Sequence, residues 1–201
     1  MKFIIATLIS AAASLAVAGV EINQAAPDFE LKSSQGKTVK LSDQKGKWVV
    51  LEWFNNECPY VEKHYGTQNM QSLQKKFTEK GVVWLTMASS APNKQGHMTP
   101  KQANKIIADR KASQTALLLD PSGQVGRLYD AKTTPHMFVI NPEGKVYYHG
   151  AIDSDSSFKP STIKGAKNYV DIALSEGLAG KKQASVSPQK PYGCSVKYAS
   201  K

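Results

Sequence analysis

Residues 48–54 are apolar except for Glu52, a short continuous run that reads as a buried strand. Beyond it stands Cys58, followed by the apolar Val61, Tyr65, Met70, Leu73 and Phe77 at roughly the spacing of one helix face. The stretch Glu52-Trp53-Phe54-Asn55-Asn56-Glu57-Cys58-Pro59-Tyr60-Val61 is therefore a strand running into a helix with a cysteine at the joint. A thiol placed there faces unpaired backbone N–H groups and the positive end of the helix dipole, which favour thiolate over thiol. Cys58 is the candidate nucleophile.

Residues 81–87 form a second buried strand, and strand, helix, strand in that order implies a parallel pair joined by a right-handed crossover. Ahead of this unit, residues 26–31 are extended and residues 36–43 continue as a short hairpin. After it, residues 88–98 are expected as a surface loop near the active end of the sheet, with His97 solvated. Thr99 caps a helix that has Pro100 at its first position and runs to about residue 111. Residues 117–119 make a short strand ended by the turn Asp120-Pro121-Ser122-Gly123, and residues 124–129 a brief helix bearing Arg127. Thr133-Thr134-Pro135-His136 leads into a strand at 137–140, which Asn141-Pro142-Glu143-Gly144 turns into another at 145–148. A last helix is expected from about residue 167 to 179. The chain from Gly180 onward is rich in Lys, Ser and Pro and lacks the apolar pattern needed to fold alone. Tyr192, Val196 and Tyr198 are its anchors for docking, which would carry Cys194 inward.

Over about residues 23–199 these motifs resemble the redoxin, or AhpC/TSA (peroxiredoxin-like), branch of the thioredoxin fold. The resemblance rests on the Ala26-Pro27-Asp28-Phe29 lead-in, Cys58-Pro59-Tyr60-Val61, Thr133-Thr134-Pro135-His136-Met137 and the terminal Pro191-Tyr192-Gly193-Cys194-Ser195-Val196-Lys197-Tyr198. It implies an α/β thioredoxin-like fold: a central mixed sheet of a parallel pair plus an antiparallel hairpin, flanked by helices, with an N-terminal strand extension. It also implies a cis Thr134–Pro135 bond packed against the reactive cysteine, with Thr134 and Pro135 positioning substrate, and a proton-transfer role for Glu52. Asn55 and Pro59 join the substrate-positioning set. Thioredoxins carry a second cysteine where this chain has Val61, so the usual local resolving partner is missing. Peroxiredoxins use a Pro-x-x-x-Thr/Ser-x-x-Cys motif and an arginine. Here Leu51 and Asn55 hold the corresponding places and no arginine stands directly ahead of Met137. The charge that stabilises a departing peroxide oxygen is thereby absent.

Residues 1–18, apolar from Phe3 to Val17 and ending Ala16-Val17-Ala18, have the pattern of a secretory signal peptide and are too short to span a bilayer. The expected organisation is a signal at 1–18, a redoxin domain at 19–180 and a tail at 181–201 carrying the second cysteine. Such a protein is exported, periplasmic or secreted, with no stable membrane insertion after cleavage. The net charge of +10 is mostly dispersed lysine, with two arginines and no basic cluster among exposed aromatics, which argues against a nucleic-acid partner. With no glycine-rich phosphate loop and no Cys-x-x-Cys-His, no bound cofactor is expected.

In an oxidising compartment Cys58 and Cys194 admit two readings. As a structural bridge they close a loop of about 137 residues, worth roughly 4–5 kcal/mol by chain entropy, in a non-enzymatic binding domain. As a catalytic pair, Cys58 attacks a disulfide or peroxide, Cys194 resolves the product, and an external thiol reductant resets both. The chain is then a thiol-disulfide oxidoreductase or peroxiredoxin-like antioxidant enzyme. A further alternative joins the two cysteines with His64, His97, His136 or His149 around copper, as in some exported thioredoxin-like proteins.

Overall fold

A computed structural model describes residues 20–200 of the chain, and the signal expected at residues 1–18 lies outside them. The elements in chain order are β1 (Glu30–Ser33), β2 (Thr38–Lys40), β3 (Val49–Trp53), α1 (Pro59–Gly66), α2 (Asn69–Thr78), β4 (Val83–Ala88), α3 (Pro100–Arg110), β5 (Ala116–Leu119), α4 (Gln124–Leu128), β6 (Thr133–Thr134), β7 (His136–Ile140), β8 (Val146–Gly150), α5 (Tyr169–Leu178) and β9 (Cys194–Ser195). Seven strands form one sheet in the order β2-β1-β5-β4-β3-β7-β8. Its centre holds three parallel strands, β3, β4 and β5, one more than the pair expected. The N-terminal hairpin adds antiparallel to β5 on one side, and β7 with β8 adds antiparallel to β3 on the other.

Every residue of β3 is buried because both sheet faces are covered. Val50 and Phe54 point into a core with Cys58, Val61, Tyr65, Phe77 and Val170, whereas Val49, Leu51 and Trp53 pack with Tyr129 and Phe138 on the other face. Trp53 lies edge-on to Phe138 at 5.3 Å between ring centroids. These aromatic contacts fix the end of β3 from which the loop to Cys58 departs.

The apolar stripe from Val61 to Phe77 belongs to two helices rather than one. The α1 helix ends at Gly66, and Gln68 takes a left-handed φ of 62° before α2 begins. The Thr67 hydroxyl donates to the Lys63 carbonyl at 2.7 Å, capping the first helix where its ladder stops. Val61, Tyr65, Met70, Leu73 and Phe77 nevertheless enter one core, because the break re-aims the chain without changing the face. The loop after β4 also departs from expectation, since Ser89, Ser90 and Ala91 are buried. The Ser89 hydroxyl donates to Asp120 Oδ2 at 2.7 Å and accepts from Trp53 Nε1 at 3.1 Å. The Thr99 and Gln102 side chains form a reciprocal cap on α3.

The chain after α5 folds back over the sheet. Its β9 strand pairs antiparallel with β6, placing Cys194 opposite Thr134. Val196 N–H donates to the Lys132 carbonyl at 3.0 Å, and the Lys197 carbonyl accepts from Ala91 N–H at 2.8 Å. The Tyr198 hydroxyl donates to the Ala131 carbonyl at 2.7 Å. Among the described residues no helix is long and apolar enough to cross a membrane.

Candidate functional site

Asn55 builds the turn that delivers Cys58. Its Oδ1 accepts from Glu57 N–H at 2.9 Å while its carbonyl accepts from Cys58 N–H at 3.1 Å. Cys58 becomes the N-cap of α1, and Pro59 takes the first helical position, where a missing N–H costs nothing. The cysteine is fully buried, and its S–H donates to the Thr134 carbonyl at 3.2 Å. The Thr134–Pro135 bond is cis. From the other side the tail sets Cys194 opposite Thr134 and against the core that holds Cys58, both cysteines being free thiols. Gly193 makes this approach possible: at its φ of +136° an added Cβ would stand 2.0 Å from the Thr134 carbonyl oxygen.

The two sulfurs sit in unequal electrostatic settings. Burial pushes the Cys58 thiol up, but hydrogen bonds from Cys194, from Thr134 and from the Val61 and Cys194 backbone outweigh it and hold its pKa below the usual cysteine value. Burial, the hydrogen bond to Cys58 and the charge on Cys58 push Cys194 up to about 12, against the pull of Lys197. Cys58 therefore ionises first, and Cys194 retains its proton to stabilise that thiolate.

Glu52 is fully buried in β3. Its carboxylate accepts from the Tyr65 hydroxyl at 2.8 Å, Trp84 Nε1 at 2.7 Å, Gln74 Nε2 at 3.1 Å and the Thr86 hydroxyl at 3.3 Å. Burial raises its pKa, and these donors oppose the rise. Cys58 is not among the partners of this carboxylate, so the expected proton transfer has no direct contact to run through. The geometry makes Glu52 a polar knot that ties β3 to α1, α2 and β4. The arginines also have other duties. Arg110 donates to Asn56 Oδ1 at 2.6 Å and Glu62 Oε2 at 2.8 Å, bracing the turn before Cys58, while Arg127 donates to the Ala199 carbonyl at 2.8 Å.

The AhpC/TSA family pattern matches residues 22–149, from ahead of β1 into β8, including Cys58, Thr134 and Pro135. The chain belongs to the AhpC/TSA family. It is 32% identical to the thiol-disulfide oxidoreductase ResA of Bacillus subtilis strain 168 over 123 residues, 60% of this chain and 62% of ResA, which is under two thirds of that protein's length. It is also 32% identical to peroxiredoxin Bcp of the same organism over 91 residues, 41% of this chain and 52% of Bcp. A hypothetical protein of Sinorhizobium meliloti 1021 superposes with a TM-score of 0.78 at 19% identity, covering 92% of this chain and 98% of that one. The fold is thioredoxin-like.

In this AhpC/TSA chain the histidines do not gather around the cysteines. His64 Nδ1 faces Asn69 Nδ2 at 2.8 Å, and its Nε2 faces the Tyr192 hydroxyl at 3.3 Å. His136 is buried with neither ring nitrogen partnered, on the sheet face of Phe138, and His149 stacks on that same phenylalanine. His97 is partly exposed in its loop. No three His, Cys, Asp or Glu side chains converge as metal ligands among the described residues, so the copper reading finds no donor set. What the sequence did not single out is Lys63 and Asp153, both buried beneath the tail, with Nζ and Oδ2 3.5 Å apart. His64 falls three residues after Val61 and one before Tyr65, on the apolar stripe, a spacing that marks it as buried. Nothing local marks Lys63.

Proposed function

We propose that this AhpC/TSA protein is a thiol-disulfide oxidoreductase in which Cys58 attacks and Cys194 resolves. The observation that carries this reading is the contact of two free thiols, one with a depressed and one with a raised pKa, across the Thr134–Cys194 strand pair. The thiolate is the attacking species in disulfide exchange. Cys58 thiolate attacks one sulfur of a substrate disulfide, forms a mixed disulfide and expels the other half as a thiolate. That step removes the negative charge on Cys58 that had helped hold the Cys194 proton. Cys194 then releases its proton to solvent and attacks the Cys58 sulfur, giving the Cys58–Cys194 disulfide and the second substrate thiolate. Two electrons pass to the substrate, and an external dithiol returns them. Thr134 and Pro135 border the reacting sulfurs, and Asn55 and Pro59 orient Cys58.

Disulfides suit this site better than peroxides. Departing hydroxide or alkoxide needs a cation free to receive it, and Arg110 and Arg127 are each already hydrogen-bonded to protein acceptors. The reading extends to an exported setting on the strength of residues 1–18. Its test is the reduction potential of the pair, measured by equilibration in glutathione buffers, thiol trapping and mass spectrometry. A reversible pair between about −270 and −120 mV is expected. A potential below about −300 mV marks a structural bridge and sinks the oxidoreductase reading.

A further inference from the structure

A buried polar cluster beside the cysteines takes no part in the exchange chemistry. Lys63, His64 and Asp153 are 1%, 0% and 3% exposed. Lys63 Nζ donates to the Asp155 carbonyl at 2.7 Å and lies 3.5 Å from Asp153 Oδ2. Replacing such a buried pair by apolar side chains is often neutral or stabilising, so stability alone is a weak reason for it. Its outward partner is Tyr192. The Tyr192 hydroxyl donates to Asp153 Oδ1 and sits 3.3 Å from His64 Nε2, and its ring lies 5.4 Å beneath Lys63 Nζ and 5.9 Å from the Tyr60 ring. Tyr60, Lys63 and His64 all belong to α1, whose N-cap is Cys58. Tyr192 stands two residues before Cys194. The tail is thus fastened, immediately ahead of one sulfur, to the helix that presents the other.

We propose that Tyr192 is a positioning residue that holds Cys194 against Cys58 by bonding the Asp153 carboxylate, which the buried Lys63 pairs, while His64 faces the same Tyr192 hydroxyl. The inference rests on the reading of Cys194 as the resolving thiol. A hydrogen bond to a charged acceptor is among the strong ones, and this one restrains the tail on the α1 side of Cys194, whereas the two-residue β9, Val196 and Tyr198 anchor it from Cys194 onward. Without it the dithiol state gains tail freedom that disulfide formation must then remove, so the effective concentration of Cys194 at Cys58 falls. At alkaline pH, where Cys58 is ionised with or without the Cys194 donor, the first attack is not impaired, because Cys58 is fully buried beneath the tail and loosening that cover exposes it.

Tyr192→Phe keeps the ring and deletes the hydroxyl, and Asp153→Asn keeps the shape and deletes the charge. In Tyr192→Phe the equilibrium constant for Cys58–Cys194 disulfide formation against glutathione is expected to fall about tenfold, a shift of about 30 mV toward a less negative potential. The attack of Cys194 on a Cys58–glutathione mixed disulfide, followed by stopped flow, should slow by about the same factor. Alkylation of Cys58 by iodoacetamide at alkaline pH, where the thiol is ionised in both proteins, should not slow. Asp153→Asn should move all three readouts the same way. A folded Tyr192→Phe protein with unchanged constant and resolution rate overturns the proposal. Equal slowing of both steps also overturns it, since that is general loosening. If the wild-type chain never forms the Cys58–Cys194 disulfide, the oxidoreductase reading itself fails, and the two failures are told apart.

Discussion

A free cysteine loses its proton near pH 8.5. At Cys58 burial opposes ionisation, and the largest force favouring it is the hydrogen bond from the Cys194 thiol, ahead of those from Thr134 and the Val61 backbone. The second sulfur is therefore an electrostatic partner before it is a chemical one. Cys194→Ala removes this donor and should raise the Cys58 pKa, while Cys194→Ser retains an O–H donor and should raise it less. Thiolate absorbance at 240 nm followed against pH in both variants measures the order. A Cys58 pKa in Cys194→Ala at or below the wild-type value would show that the thiol contact does not set the asymmetry.

Among the elements, β3, α1, α3 and the β7–β8 hairpin were legible because each carries its own local signal: a continuous apolar run, an apolar helix face after Cys58, a Thr99 cap followed by Pro100, an Asn-Pro-Glu-Gly turn. The break between α1 and α2 was not, since Val61 to Phe77 keeps one apolar stripe and only a left-handed Gln68 interrupts it. Cys58 announced itself by position, and Cys194 by being the second cysteine. Glu52 was found but its partners were not, because Tyr65, Gln74, Trp84 and Thr86 converge on it from three other elements. The β6–β9 pair could not be read either: two residues per strand leave no periodicity. Its requirement is steric and sits in Gly193, where a Cβ would meet the Thr134 carbonyl at 2.0 Å. Gly193→Ala should lift β9 from β6 at a cost of about 1–3 kcal/mol, local to the tail. Cys194 alkylation should then speed up about tenfold or more while the global urea midpoint hardly moves. A variant whose Cys194 stays as protected as in the wild type would show that the strand tolerates the added methyl group.

Across the whole molecule, the two faces of the sheet share one vulnerability to acid. His64 lies under the tail on the α1 side and His136 beside Phe138 on the other, and burial drives the pKa of each to about 3, aided by Lys63 at His64 and by His149 and Lys132 at His136. Their folded pKa values are depressed below the ordinary 6.5, so the unfolded chain takes up protons that the folded chain refuses. The stability they confer is complete above about pH 6.5 and is lost as pH falls toward 3, at up to about 1.4 kcal/mol per pH unit for each histidine. Glu52 has the opposite sign: its raised folded pKa favours the folded state below about 4.5 and the gain is lost as pH rises through the folded value. Comparing His136→Phe with wild type cancels Glu52, which both proteins carry. At pH 7 the substitution should be harmless or stabilising by about 1 kcal/mol, because neither nitrogen of His136 has a partner to lose. Between pH 6 and 5 it should gain a further ~1 kcal/mol on wild type, one histidine's share of the slope. Urea unfolding at pH 7, 6 and 5 reads both quantities. Parallel curves for the two proteins through that window would mean that His136 already carries its proton in the folded state, and burial would then not be the source of the acid sensitivity.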